Sequence, residues 1–201
     1  MSGAGPDAGA VGEIPLFPLH AVLFPEGELL LRVFEPRYLD MVTRCMKQGA
    51  PFGVVLISAG EEIGPAAECR SLGTLARILD WDRGKDGLLS VTCGGGDRFR
   101  VLERRVARDQ LTLARIETLA PDTRLEVPGE FHGLVELLRE LLRRDAREDG
   151  PPDPRFDDAG WVSFRLLERL PLKLSQRQAF LELDDPVQRL ERLAGLLGMQ
   201  H

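Results

Sequence analysis

Two short clusters in the sequence combine charged and aromatic residues inside otherwise apolar segments. The first contains Glu35, Arg37 and Tyr38, at the point where a strand-like segment gives way to a helix-like one. The second contains Arg98 and Phe99, which follow three consecutive glycines. An aromatic ring beside charged groups is a common composition at protein-binding hot spots. Both clusters are therefore candidate partner-binding sites.

Each cluster also has a structural explanation. Glu35 can cap the following helix or pair with Arg37, and Tyr38 can pack against the strands, because buried charges normally occur in pairs. In the second cluster, strand alternation places Phe99 on one face and Arg98 on the other. That arginine face is either solvated or a groove for acidic or phosphate ligands. Residue types alone leave both explanations open.

The residue patterns of common catalytic sites are absent from the sequence. Leu79 stands where a phosphate-binding loop ending in Gly84-Lys85 would need glycine. There is no Gly-x-Ser-x-Gly elbow, and His20 has no cysteine, carboxylate or second histidine near it in the sequence. No paired ligands occur at the usual metal-binding spacing. We therefore expect no enzyme activity, no cofactor and no metal.

Composition and charge narrow the class of partner. The 201 residues are 43% hydrophobic and 29% charged, which is typical of a globular protein, and the formal net charge is −6. An acidic protein is a poor partner for phosphate backbones, so nucleic-acid binding is disfavoured. No apolar stretch reaches the 18 residues of a membrane helix. Residues 1–12 have no basic segment and no apolar core, so we do not expect them to be a signal peptide. Three widely separated cysteines fit a reducing cytoplasm.

The first half of the chain has the pattern of short strands. Alternating or β-branched apolar segments predict strands over residues 14–19, 29–33, 52–57, 74–79, 88–93, 98–102 and 111–117. Pro15 and Pro18 place the first strand at a sheet edge, because proline lacks the donor that an interior strand uses. The glycines at 94–96 predict a hairpin turn between two of the strands. These strands predict a barrel-like β domain.

Helical patterns interrupt and then replace the strands. Pro36 opens a helix that ends at Gly49, with Leu39, Val42 and Met46 as its apolar stripe. After Pro121 the apolar spacing becomes helical, with a break over residues 149–154. Asp157 or Asp158, Ser175 and Asp185 are the predicted helix caps in this half. The prediction is an α+β chain with a flexible tail at 1–12, a β domain at 13–120 and a helical bundle at 121–201.

Several of these segments together resemble a known family. The run I-P-L-F-P-L-H-A-V-L-F-P at 14–25 and the run L-L-L-R-V-F-E-P-R-Y at 29–38 are similar to the opening of the N-terminal substrate-binding domain of Lon protease. The similarity is strongest to stand-alone bacterial proteins consisting of this domain. It continues through residues 72–74, 98–101, 170–171, 178–182 and 185–193. The sequence departs from the family pattern at His20 and Glu26, where the family often has a small polar residue and glycine.

The resemblance implies a PUA-like β pseudobarrel with one embedded helix, followed by a small helical bundle. Because the sequence ends at His201 without the ATPase and Ser-Lys protease modules of Lon, it implies recognition without proteolysis. The implied partners are unfolded or partly folded proteins and peptides. RNA is the alternative, because PUA-like barrels elsewhere bind RNA and Arg98 to Arg108 is rich in arginine, although the acidic balance argues against it. No oligomeric state is favoured.

Overall fold

The computed structural model describes residues 11–84, 87–145 and 153–199. The chain divides into two compact units, Met1–Pro121 and Asp122–His201. Most of the predicted tail lies outside the described residues, but Val11 and Gly12 already belong to the first strand. The predicted break over 149–154 also lies mostly outside them.

The first unit is a mixed six-stranded sheet with one helix. Its strands are β1 (Val11–Leu19), β2 (Glu28–Val33), β3 (Phe52–Ala59), β4 (Glu68–Arg83), β5 (Leu89–Val106) and β6 (Thr112–Thr118). They lie in the order β2-β5-β4-β3-β1-β6, and β5 also pairs with β6. That additional pairing closes five of the strands into a barrel and leaves β2 as an end strand, which confirms the predicted α+β class and barrel-like domain.

β1 is not the edge strand that its prolines predicted. Residues 11–15 pair with β6, whereas Leu16 to Leu19 pair with β3 on the other side. Each half of the strand therefore has a strand neighbour on one side only. This stagger explains how Pro15 and Pro18 are accommodated, because each half needs hydrogen-bond donors along only one edge.

The glycines at 94–96 do not form the predicted hairpin turn but lie within one long strand, β5. Glycine is needed at position 95 because another segment approaches closely: a Cβ at Gly95 would lie 2.1 Å from the carbonyl oxygen of Phe24. The Gly95 N–H donates to Gly27 O, and the Gly95 carbonyl accepts from the Glu26 N–H, both at 2.8 Å. Glu26 is left-handed (φ 57°), the conformation for which glycine is favoured.

Helix α1 (Pro36–Gln48) begins and ends as predicted, with Gly49 as a left-handed cap (φ 61°). Its buried face is rotated from the predicted stripe and consists of Arg37, Tyr38, Met41, Val42 and Cys45. Met46 is exposed. The prediction was wrong for Met46 only, because Val42 is fully buried and Leu39 is partly buried against the same core, whose contact face is centred on Met41.

The second unit contains the helices α2 (His132–Arg144), α3 (Ala159–Arg169), α4 (Leu174–Leu181) and α5 (Pro186–Leu197), with a short 3₁₀ helix at Gly129–Phe131. Asp158 and Asp185 cap α3 and α5 as predicted, each accepting two backbone N–H bonds. Ser175 lies inside α4, which Lys173 precedes, so that predicted cap was wrong. Among the described residues, no helix is long and apolar enough to span a membrane.

A buried arginine holds helices of the second unit together. Arg189 of α5 is fully buried and donates to the Leu183 carbonyl (2.7 Å), to Ser163 Oγ on α3 (3.1 Å) and to the Asp122 carboxylate. Its guanidinium also lies 4.0 Å from the ring centroid of Phe164. Every one of these contacts compensates part of the cost of burying the charge.

Candidate functional site

The first unit contains a groove of about 390 Å³ that is lined mainly by apolar residues. One wall is formed by residues 29–35, which include most of β2 and the start of the turn into α1. The remaining lining residues are Phe17, Leu19, Ala21, Tyr38, Glu62 and Ile63. The groove thus lies between β2, the end of β1 with the residues after it, and the loop that follows β3.

The wall formed by β2 is the edge of the strand. Neighbouring side chains of a strand point to opposite faces of the sheet, yet five consecutive residues of β2, 29–33, line this groove, as do the two residues after the strand. That pattern arises when the groove runs along the strand itself rather than over one face. Because β2 is the last strand in the sheet order, no strand in the described part of the chain covers this edge.

Three of the lining residues are large apolar side chains with much of their surface in solvent. Leu30 is 66% exposed, Ile63 59% and Phe34 49%. Single exposed apolar residues are ordinary, but a cluster along one groove is typical of an interaction site. The apolar groove therefore has the chemistry to bind apolar side chains of another molecule.

Of the predicted junction residues, Glu35 lines the groove and is paired with Arg37, which does not line it. An Arg37 guanidinium nitrogen lies 2.7 Å from Glu35 Oε2, with side-chain exposures of only 5% and 15%. Arg37 also donates to the Gln110 carbonyl at 3.0 Å, and Glu35 Oε1 accepts from the Gly64 N–H at 2.8 Å. The ion pair is the structural explanation given above. The side-chain cap is not observed for Glu35.

Tyr38 forms part of the groove and of the core beneath it. Its ring stacks on Phe17, with centroids 4.2 Å apart and an angle of 16° between the planes. The Arg37 guanidinium carbon lies 4.7 Å from the ring centroid. Burial raises the pKa of the Tyr38 phenol, although the charge of Arg37 opposes that change. The phenol is therefore neutral at physiological pH and available as a hydrogen-bonding group.

Arg98 and Phe99 do not join the other candidates in the groove. Phe99 is fully buried in an apolar cluster with Leu16 and Val55, and the absent side chains of Gly53 and Gly73 leave room for its ring. Its ring is therefore not presented to a partner. Arg98 is only 5% exposed, so the solvated face expected for it is not observed. Its exposed neighbour Arg100 does lie on such a face.

The arginines that follow are also engaged within the chain. Arg104 donates to the Cys69 carbonyl at 3.1 Å. Arg105 donates twice to the Glu13 carboxylate, both at 2.8 Å. Together with the burial of Arg98, these contacts divide the arginine-rich segment, so it does not present the continuous basic face that a phosphate backbone would need.

The loop after β3 supplies the second wall, which the sequence did not reveal. Glu62 Oε1 accepts from the His20 backbone N–H at 2.6 Å, and Glu61 lies 3.8 Å from the imidazole of His20. The available signals are Leu30 in β2, Phe34 directly after that strand, and the isolated apolar residue Ile63. No group of three or more potential metal ligands occurs among the described residues.

The first unit is therefore a closed barrel of five strands with β2 added at one edge, and the groove lies beside β2. Its described residues contain no recognisable catalytic constellation. The family model for the ATP-dependent protease La (LON) substrate-binding domain matches residues 13–198. The chain therefore belongs to the Lon substrate-binding domain family.

Solved structures and curated relatives agree with that assignment. A Lon N-terminal domain protein from Xanthomonas campestris is 39% identical with a TM-score of 0.78, covering 92% of this chain and 98% of its own. The N-terminal domain of a Mycobacterium avium complex Lon protease is 18% identical with a TM-score of 0.64, covering 92% and 97%. This second likeness shows the fold alone.

The curated relatives are much longer proteins. A Lon protease from Xanthomonas oryzae pv. oryzae is 25% identical, covering 92% of this chain and 23% of its own length. Lon protease 3 from Sorangium cellulosum is 26% identical, covering 98% of this chain and 24% of its own length. The chain therefore spans about a quarter of the length of the curated relatives it matches.

Proposed function

We propose that this chain is a non-catalytic recognition module that binds unfolded or partly folded proteins through the groove beside β2. The observation that carries the proposal is the cluster of exposed apolar side chains, Leu30, Phe34 and Ile63, along an uncovered strand edge. The chain also belongs to a family described as the substrate-binding domain of an ATP-dependent protease, which supports the same role.

The groove suits partners that share an apolar character rather than one sequence. Unfolded chains expose apolar side chains that a folded protein buries, and burying about 100 Å² of such surface contributes about 2.5 kcal/mol. A shallow groove of this kind gives weak binding, about micromolar. Weak and rapidly reversible contacts suit a module that samples many clients in a reducing cytoplasm.

RNA is the alternative partner, and the described contacts give it little support. The net charge is −6, and Arg98, Arg104 and Arg105 are buried or bonded within the chain. RNA binding through several arginines would weaken steeply with added salt, whereas binding of apolar segments would not. Between 50 and 500 mM salt the Debye length decreases about threefold. Measuring the affinity across this range therefore distinguishes RNA from an apolar polypeptide as the partner.

The proposal is tested with a fluorescently labelled protein kept unfolded by reduction and alkylation. We expect Leu30→Ser and Ile63→Ser each to weaken its binding about fivefold, as for the loss of about 1 kcal/mol of apolar contact. The matched control is Leu102→Ser, since Leu102 is also an exposed strand leucine (43%) but does not line the groove. Equal affinity in all three variants and the parent chain would overturn the proposal.

A further inference from the structure

The backbone of β2 offers more than an apolar wall. As the end strand of the sheet, it pairs with β5 along residues 28–33 and has no strand neighbour on its second side among the described residues. An uncovered strand edge is a template for another extended chain, because its main-chain donors and acceptors are arranged to receive a further strand. The groove runs along this edge.

We infer, on the basis of the proposed function, that the groove binds an extended polypeptide as an additional β-strand along β2. Main-chain hydrogen bonds to a strand edge do not depend on the bound sequence, whereas side-chain pockets select at alternate positions. Six paired residues of β2 span about 20 Å at about 3.3 Å per residue. The bound segment is therefore about six or seven residues long.

The side chains along the groove specify an alternating apolar partner. Leu29, Leu31 and Val33 point toward the barrel side of β2, and Leu30, Arg32 and Phe34 point the other way, because strand side chains alternate. A strand added to this edge follows the same pleat. Every second side chain of the added strand therefore points to the part of the groove lined by Phe17 and Tyr38. The side chains between them point to the same side as Leu30 and Phe34.

Charge selects further at the loop wall. Of the carboxylates near the groove, Glu35 is paired with Arg37. Glu61 is 83% exposed, with the His20 imidazole 3.8 Å away, and Glu62 lines the groove while one of its oxygens accepts the His20 N–H. Arg32 lies on the strand wall opposite. The bound segment therefore carries a lysine or arginine where it passes Glu61 and Glu62. The net charge of −6 favours the same choice.

Backbone methylation tests the strand addition directly. The probe is a blocked seven-residue peptide with a terminal lysine followed by alternating leucine and threonine, and two versions are N-methylated at either the leucine or the threonine amides. In an added strand, the amides of alternate residues face the edge. We expect methylation of one set to weaken binding at least about tenfold, and methylation of the other set to change it less than about threefold.

The outcomes separate this inference from the function on which it rests. If both methylated peptides bind alike while Leu30→Ser still weakens the parent peptide, strand addition is overturned and recognition by the groove stands. If the parent peptide does not bind, or Leu30→Ser leaves its affinity unchanged, both are overturned. Greater weakening by one methylated set, together with loss of affinity in Leu30→Ser, supports both.

The charge preference has its own comparison. Replacing the peptide lysine by glutamate is expected to weaken binding about fivefold to the parent protein and by less than about twofold to the double variant Glu61→Gln, Glu62→Gln. Glutamine keeps an acceptor for the His20 N–H, so the loop contact is preserved. Equal binding of the lysine and glutamate peptides to the parent protein would overturn the charge preference.

Discussion

The carboxylate of Glu35 and the guanidinium of Arg37 lie 2.7 Å apart, and both side chains are almost withdrawn from solvent. The pair has further partners on each side, since Glu35 accepts from the Gly64 N–H and Arg37 donates to the Gln110 carbonyl. Two loops are thereby attached to the start of α1. One of them carries Glu62 and Ile63 of the groove, so the pair positions that wall.

Removing one member of this pair is expected to destabilise the protein. Arg37→Ala leaves the nearly buried Glu35 carboxylate without its counter-charge, and breaking a buried pair in this way costs about 3 kcal/mol. The measurement is chemical unfolding, with Arg105→Ala as control, because the Arg105–Glu13 pair is solvent-exposed and should matter little. Equal stability of the two variants would show that the buried pair is not structural.

The close approach at Gly95 gives a second prediction. A Cβ there would lie 2.1 Å from the Phe24 carbonyl oxygen, whereas at Gly96 the nearest atom would be 3.4 Å away. We expect Gly95→Ala to lower the free energy of unfolding by about 2 kcal/mol or more through overpacking, and Gly96→Ala to change it much less. Similar unfolding midpoints for both variants would contradict the strand geometry described here.

The stability of the protein should depend on pH through Glu168. Burial raises the pKa of this carboxyl to about 7, despite the opposing charges of Arg165 and Arg169. Between the ordinary pKa of 4.5 and about 7, the folded state holds a proton that the unfolded state has released. Stability from this group is therefore present below pH 4.5 and is lost as the pH rises to about 7, by about 3 kcal/mol.

Glu168→Gln provides the test of this pH dependence. Glutamine does not titrate, so the decrease in unfolding free energy between pH 5 and 7 should become smaller in the variant than in the parent chain. Urea unfolding at several pH values measures both slopes. Identical slopes would show that Glu168 titrates in its ordinary range.

The thiols should be unreactive in the folded protein. Cys45, Cys69 and Cys93 are free and buried. Burial raises the pKa of all three, that of Cys93 to about 12. The thiolate is the reactive form of cysteine. An aromatic disulfide reagent at pH 8 should therefore react slowly with the native protein, and after denaturation it should react with all three cysteines. Rapid labelling of the native protein would contradict this burial.

Local patterns predicted the elements that depend on local physics. The start of α1 at Pro36, its end at Gly49 and the caps Asp158 and Asp185 were all confirmed. Each of these signals acts within one turn of the chain, through a fixed φ, a permitted positive φ or a side-chain acceptor. Apolar alternation likewise predicted β2, and a continuous apolar run rich in β-branched residues predicted β3.

The errors arose where a distant segment determines the structure. Gly95 was assigned to a turn because glycine favours turns, but its missing side chain accommodates the carbonyl of Phe24. Pro18 predicts a strand at the edge of the sheet, but β1 lies between two strands, because its residues 11–15 pair with β6 and its residues 16–19 pair with β3. The groove was missed for the same reason, because Ile63 meets β2 only through the fold.

A map of backbone amide chemical shifts during titration with the lysine-containing probe peptide tests the role of the groove most directly. The largest changes are predicted over residues 29–35 and at Glu62 and Ile63, which line the groove on its two sides. Amides of α5 (Pro186–Leu197) should remain unshifted and serve as the internal control. Saturable changes concentrated in the helices of the second unit or along residues 98–105, with none over 29–35, would contradict recognition by this groove.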